Sequence, residues 1–361
     1  MSSSKPENLF RMDPAREKEY LRILKGIRGV SVAVVGDIIA DEYIHGSCER
    51  ISREAPVLIL RHENTRTTPG GAGNAAANVA SLGATVYSIG VVDGGSAADE
   101  VMEFYETNGI NTGYIVRSEK YETCIKTRIM SGSLHTTLQQ VIRIDRGGNT
   151  PVSQKDAERL LSGFEKVVKK VDTVLISDYN CGLFTDFFTE GLQKILKKEY
   201  SKREIFVIVD SRHRLFDFKH AYTATPNESE AREASGIHIS DTKSLIECGK
   251  MLMKKTDNRT MLITRGSKGM AFFDERGKLH EVPITRKDEI ADVTGAGDTV
   301  AATLAAAFPV AQGDPVRAVE LANIAGGVKV MKRGTAQVSA SEVAAEIERI
   351  KNFQNFSLQK N

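Results

Sequence analysis

The sequence predicts a doubly wound α/β protein, a mostly parallel sheet with helices on both faces and a small β-sheet lid. Three observations carry this. Short, nearly all-apolar runs recur along the 361-residue chain, as strands buried on both faces do. Stretches of helical periodicity lie between them. Two segments, 43–62 and 123–145, instead alternate apolar and polar residues, as antiparallel strands outside such a sheet do.

In order, residues 1–16 are polar and expected to fray. Residues 17–28 place Tyr20, Leu21, Leu24 and Ile27 on one helical face, so 1–29 reads as a tail and a docked helix. The first apolar run, 30–35, opens a main domain expected to span 30–352, with a tail at 353–361. Similar runs follow at 85–91, 173–177, 205–209 and 261–264. Helical patterns fill 74–82, 97–108, 153–169, 186–198 and 243–255. Ligands of such sheets bind at the carboxyl ends of the strands.

Composition excludes several classes. Forty-nine basic against 47 acidic residues leave a net charge of +2, without the basic excess of a nucleic-acid binder. The most apolar stretch, 300–311, is shorter than the roughly 20 residues of a membrane-spanning helix. No export signal is visible near the start, and the four cysteines (48, 124, 181, 248) form no paired motif, so a reducing cytoplasm is expected. Walker A, G-x-S-x-G, H-E-x-x-H and H-R-D motifs are missing from the sequence.

The strongest local feature is Asp292-Val-Thr294-Gly295-Ala296-Gly297-Asp298, followed by an alanine-rich helix former. Gly295, Ala296 and Gly297 then lie at a helix N-terminus, where free N–H groups attract anions. Asp298 beside them is either a base for a hydroxyl that attacks a held phosphoryl group or an ordinary helix-start residue. A second feature is Gly70-Gly71-Ala72-Gly73-Asn74, with Asn78 one turn on. It superficially matches a dinucleotide fingerprint, but 65–69 does not read as the strand that motif requires, so NAD is set aside. Asn74 and Asn78 share a helix face that suits a small polar ligand, or else they are a cap and a buried amide. Third, Asn227 and Glu230 make either a capping box or a pair reaching phosphate-bound magnesium. Asp37, after the first strand, either holds hydroxyls of a polyol or is a turn aspartate. Thr264 and Gly266 end a strand and either contact nucleotide phosphates or form a turn, and Lys126, Arg128 and Arg143 lie on the lid strands, as ligands or as a solvated face.

Together these motifs resemble the ribokinase-like family of small-molecule kinases over about residues 30 to 350. The resemblance implies an ATP- and Mg2+-dependent sugar kinase. Asp298 is then the catalytic base and Gly295–Gly297 the anion hole. Asn227 and Glu230 organise magnesium, while Asn227, Thr264, Gly266 and Asn323 line the ATP site. Asp37, Gly71, Asn74 and Asn78 hold the sugar, and Asp292 and Thr294 match a K+ site of some relatives. Within that family the chain is most similar to heptose 7-phosphate kinases, through Asp41-x-Tyr43, Arg50-Ile-Ser52, Lys126-Thr-Arg128, Gln140-Val-Ile-Arg143 and Ser177-Asp-Tyr179. That implies phosphorylation of an anomeric hydroxyl of a sugar already carrying phosphate, with Lys126, Arg128 and Arg143 as phosphate ligands.

The chain departs from the pattern at Cys181, Arg53 and Ser211-Arg212. It ends near residue 361, which is expected to leave no nucleotidyltransferase domain. Alternatives are another sugar, sugar phosphate or nucleoside as acceptor, or a non-catalytic sensor. Exposed lid strands would favour a homodimer.

Overall fold

The structure is a computed structural model describing residues 10, 12, 14–132, 139–286, 291–311 and 313–358. The expected fraying of the first residues therefore lies largely outside the described residues. In chain order the elements are α1 (Pro14–Gly26), β1 (Ser31–Gly36), β2 (Ile38–Ile51), β3 (Leu58–Gly71), α2 (Ala72–Ser81), β4 (Thr85–Val92), α3 (Ser96–Thr107), β5 (Asn111–Arg117), β6 (Cys124–Gly132) and β7 (Gln139–Arg146). Then follow α4 (Gln154–Val167), β8 (Thr173–Asp178), α5 (Asp186–Tyr200), β9 (Phe206–Ser211), β10 (Thr223–Ala224), α6 (Glu228–Ser235), α7 (Thr242–Thr256), β11 (Met261–Thr264), β12 (Met270–Phe273), β13 (Leu279–Val282), α8 (Ala296–Ala307), α9 (Pro315–Lys329) and α10 (Ala340–Leu358).

The main sheet runs β10-β9-β8-β1-β4-β5, parallel throughout. Its strands are apolar on both sides because each face is covered. Val32 and Val34 of β1 join a core with α1, α2, α3, α8, α9 and α10, whereas Ala33 and Val35 join one with α4, α5, α6 and α7. The two-residue period of one strand thus feeds two helical layers.

The alternating segments do meet. They form a second sheet ordered β3-β2-β6-β7, with β2 and β6 parallel in its middle. Its strands begin earlier and end later than 43–62 implied, because β2 leaves β1 after Asp37 alone.

Four expectations are corrected. Residues 65–69 are strand after all, the end of β3. Pro69 is tolerated there because β3 is an edge strand. That strand pairs antiparallel with β2, so the following Gly71-x-Gly73 does not open the parallel βαβ unit a dinucleotide fingerprint needs. The run 261–264 is not in the main sheet. As β11 it pairs antiparallel with β12 and touches the β10 side through one parallel bridge, Asn227 to Thr264. In α1 and the turn that follows it the buried face is Tyr20, Ile23, Leu24 and Ile27, and Leu21 faces solvent. The boundary expected at 353 falls inside α10, which continues to Leu358. Among the described residues, no helix is long and apolar enough to cross a membrane.

Candidate active site

The ends of β1, β8 and β9, the start of α8 and the inner face of the second sheet converge on Asp298. That residue lies in the first turn of α8 and is 2% exposed. Its carboxylate accepts Nδ2–H of Asn74 at 2.7 Å and the Tyr179 hydroxyl at 2.5 Å. Burial pushes it up to about 6, with the Asp41 charge in the same direction and the two hydrogen bonds and Arg212 opposing. A carboxylate so tuned is a better base at neutral pH than an exposed one.

Gly295 caps α8 at φ 77°. A Cβ there would stand 2.6 Å from Asn74 Nδ2, so a side chain would displace the group that holds the base. Ala296 N–H is taken by Val293 O and Thr299 N–H by Gly295 O. The N–H groups of Gly297 and Asp298 lie between them, in the first turn where helices leave donors without an intrahelical acceptor. This is an anion-binding end with a buried carboxylate in it.

The second glycine motif packs the base from the other side. Gly71, at φ 55°, ends β3 and starts α2; a Cβ on it would meet Asp37 O and Ile39 at 2.8 Å. Asn74 is therefore inside the helix rather than its cap. Asn78 is the buried amide of the plainer reading. It donates to Asn74 Oδ1 at 3.1 Å and accepts from Thr299 Oγ1 and Val338 N–H, tying α2 to α8.

Asp37, expected to hold hydroxyls, also has a task in the chain itself. Its oxygens accept the N–H groups of Tyr179, Cys181 and Leu183 at 2.9–3.2 Å, so it shapes the loop after β8. Burial, then repulsion from Asp178, raises it to about 6. Asp41 of β2, whose charge acts on the base, pairs with buried Arg128 at 2.5 Å. Register puts Asp41 beside Lys126, Tyr43 beside Arg128, and Arg128 beside Arg143. Arg128 lies over the Tyr43 ring, and Lys126 lies over the Tyr179 ring at 5.1 Å. Arg143 is exposed and pairs with Asp145.

Asn227 and Glu230 do form the capping box of α6. Thr264 N–H donates to Pro226 O, so the N-x-x-E turn and the end of β11 are brought together. Gly266, at φ 54°, has open space around it. Asn323, in α9, donates to Pro283 O at 2.8 Å. Asp292 accepts N–H from Thr294 and Gly334, both at 2.8 Å.

Sequence reasoning assigned no role to Tyr179, Asp41, Asp210, Arg212 or Lys329. Arg212 stacks on Tyr179 at 4.3 Å. Burial, then the charges of Asp298 and Glu230, raises Asp210 to about 7. Tyr179, Asp210 and Arg212 all sit at or just past strand ends, so the rule that singled out Asp37 reaches them too. Lys329 has no such signal.

The profile of the pfkB family carbohydrate kinases matches residues 31–342. The bifunctional protein HldE of Aliarcobacter butzleri is 35% identical over 317 residues, 87% of this chain and 63% of that protein. The protein of the same name from Gluconobacter oxydans is 37% identical over 320 residues, 88% of this chain and 64% of its own. The chain thus spans a little under two thirds of the length of these relatives. Among solved structures, Arabidopsis thaliana ribokinase complexed with ribose and ATP has a TM-score of 0.67 at 19% identity, covering 88% of this chain and 98% of its own. Escherichia coli phosphofructokinase-2 in complex with potassium has a TM-score of 0.67 at 13% identity, covering 89% and 99%.

Proposed function

The chain belongs to the pfkB family of carbohydrate kinases, and from that premise we propose that it moves the γ-phosphoryl group of ATP to the anomeric hydroxyl of D-glycero-D-manno-heptose 7-phosphate, giving the 1,7-bisphosphate. The kinase class follows from the family. The acceptor is our reading, and the similarity to the two HldE proteins supports it.

One observation carries the chemistry: Asp298, buried and held by Asn74 and Tyr179, lies in the same helical turn as the N–H group of Gly297. In the proposed step the acceptor O–H proton passes to Asp298. Its oxygen bonds the γ-phosphorus as the bond to the bridging oxygen breaks, and ADP departs. The Gly295–Gly297 backbone faces the charge on the transferred group. Arg212, on the Tyr179 ring, and Lys126 on the same ring add cations to this space. Asn227, Thr264, Gly266 and Asn323 are proposed for the nucleotide side, and Asp41, Gly71 and Asn74 for the sugar side.

Magnesium fits the acidic end of the site. The charge of Glu230 raises the proton affinity of Asp210, a repulsion that an oxygen-seeking divalent ion relieves. Among the described residues no cluster of three or more ligands could hold a metal alone, as suits an ion carried mainly on phosphates. Magnesium when bound supplies charge neutralisation between the phosphates. A monovalent cation is proposed at Asp292 and Thr294, where the Asp292 carboxylate accepts the N–H groups of Thr294 and Gly334.

Arg128 and Lys126, with exposed Arg143 across from Arg128, are proposed to face the pre-existing phosphate. We also propose a homodimer through the second sheet, where Ile51, Val57, Leu58, Val141, Ile142 and Ile144 are exposed. A cytoplasmic setting suits four free thiols.

The test is ADP release with Mg-ATP and heptose 7-phosphate, fructose 6-phosphate, ribose, fructose or adenosine. Preference for the heptose phosphate is expected, and Asp298→Asn should lower kcat by roughly 1,000-fold while ATP still binds. Turnover of another acceptor alone would overturn the substrate, and an active Asp298→Asn would overturn the base.

A further inference from the structure

The loop that follows α9 lies between the second sheet and the anion-binding turn, and Tyr43 of β2 reaches it. Thr335 N–H donates to the Tyr43 hydroxyl oxygen at 3.2 Å. Gly334 stands at φ 64°, and a Cβ on it would come within 2.9 Å of that oxygen, so the phenol rests directly on the glycine backbone. The hydroxyls of Thr335 and of Thr68 in β3 pair at 2.8 Å, and Thr335 is buried. The loop is thus clamped to two strands of the second sheet.

Its other side holds the anion-binding turn. Gly334 N–H donates to Asp292 Oδ2 and Thr294 N–H to Asp292 Oδ1, both at 2.8 Å. Thr294 leads directly into Gly295, the cap of α8. Hydrogen bonds in series therefore join the Tyr43 hydroxyl to the segment that presents the Gly297 N–H.

The Tyr43 ring has a second neighbour. The Arg128 guanidinium lies over it at 5.3 Å from the centroid, and register sets the two residues side by side on β2 and β6. A cation is attracted to the face of a phenol. A phosphate engaging the guanidinium through its planar fork fixes that plane. The plane fixes the ring beneath it, and the ring fixes the hydroxyl on Thr335 N–H. An anion hole stabilises charge to the extent that its donors are already in place.

Resting on the acceptor reading above, we propose that Tyr43 is a positioning residue through which a phosphate on the acceptor, held at Arg128, sets the Gly295–Gly297 turn. The enzyme then selects phosphorylated sugars in the chemical step as well as in binding.

The test measures kcat and KM for heptose 7-phosphate and for the same heptose without its phosphate. In the wild type the phosphate should raise kcat roughly tenfold besides lowering KM. Tyr43→Phe keeps the ring under Arg128 and removes the acceptor of Thr335 N–H. In that variant the kcat ratio between the two acceptors should fall toward one, while KM for ATP stays within about twofold. Hydrogen exchange gives a readout apart from turnover. Heptose 7-phosphate without ATP should slow exchange across 292–298 in the wild type and leave it unchanged in Tyr43→Phe. An equal fall in kcat for both acceptors would make Tyr43 merely structural and overturn the proposal. A wild-type kcat indifferent to the phosphate, or a variant that matches the wild type in kcat ratio and exchange, would overturn it too. Turnover of fructose 6-phosphate in place of the heptose phosphate would overturn that acceptor alone, and fructose 6-phosphate against fructose then gives the same comparison. Turnover only of sugars without phosphate would overturn both readings.

Discussion

Replacing Tyr179 with Phe removes one hydroxyl and leaves the ring on which Lys126 and Arg212 stack. The lost bond is the 2.5 Å donation to Asp298 Oδ1. It favours the ionised carboxylate, so its loss raises the proton affinity of Asp298 above the present value of about 6. A hydrogen bond to a charged group contributes about 1.5–3 kcal/mol. At 1.36 kcal/mol per unit this corresponds to roughly 1–2 pH units. The acidic limb of kcat/KM should therefore move from near pH 6 toward roughly 7–8. At neutral pH the variant should lose most of its activity, and above about pH 9 it should recover most of it. The assay is coupled ADP release across pH, with the coupling enzymes in excess at every point. An acidic limb that stays in place, or moves down, would refute the assignment of Asp298 as the titrating base held by Tyr179.

Two further outcomes are expected. Arg128→Ala leaves buried Asp41 without its partner, which costs about 3–5 kcal/mol and lowers the melting temperature by roughly 5–10 °C. Arg143→Ala removes a half-exposed pair, worth at most about 1 kcal/mol, so melting should barely change while KM for a phosphorylated acceptor rises. Calorimetry and kinetics on the two variants separate these roles. The pH dependence of stability runs opposite to that of a salt-bridged carboxylate. Asp37, Asp210 and Asp298 bind protons more tightly folded, near 6, 7 and 6, than unfolded. Their stabilising contribution is full below the unfolded value and is lost as pH rises through about 6–7. The ligand-free protein should thus melt higher near pH 5.5 than near pH 8, and a flat or inverted profile in differential scanning calorimetry would contradict these shifts.

Local chemistry was sufficient for much of this protein. The apolar runs of β1, β4, β8 and β9 admit no element but buried strand. The Gly-Ala-Gly turn before an alanine-rich helix already places N–H donors beside Asp298. The alternation at 123–145 marks strands that cannot belong to the main sheet. These features depend on neighbours within a few residues, and such neighbours are readable in order along a chain. Other assignments needed partners far apart in sequence. Asp37 is visible in the sequence by its position after a strand, whereas the loop whose N–H groups its oxygens accept, more than 140 residues away, is not. Tyr179 and Asn74 gain their meaning only where α2, β8 and α8 converge on one carboxylate. β11 looked like another parallel strand because an apolar run carries no information about which edge it will find. Lys329 is the extreme case: along the sequence it is one charge among many near the end of a helix, and only the fold withdraws it from water and sets its ammonium on Lys332 O. Burial and charge proximity are properties of the packed chain, because the dielectric around a group and the distance to its counter-charge are set by segments that meet only after folding.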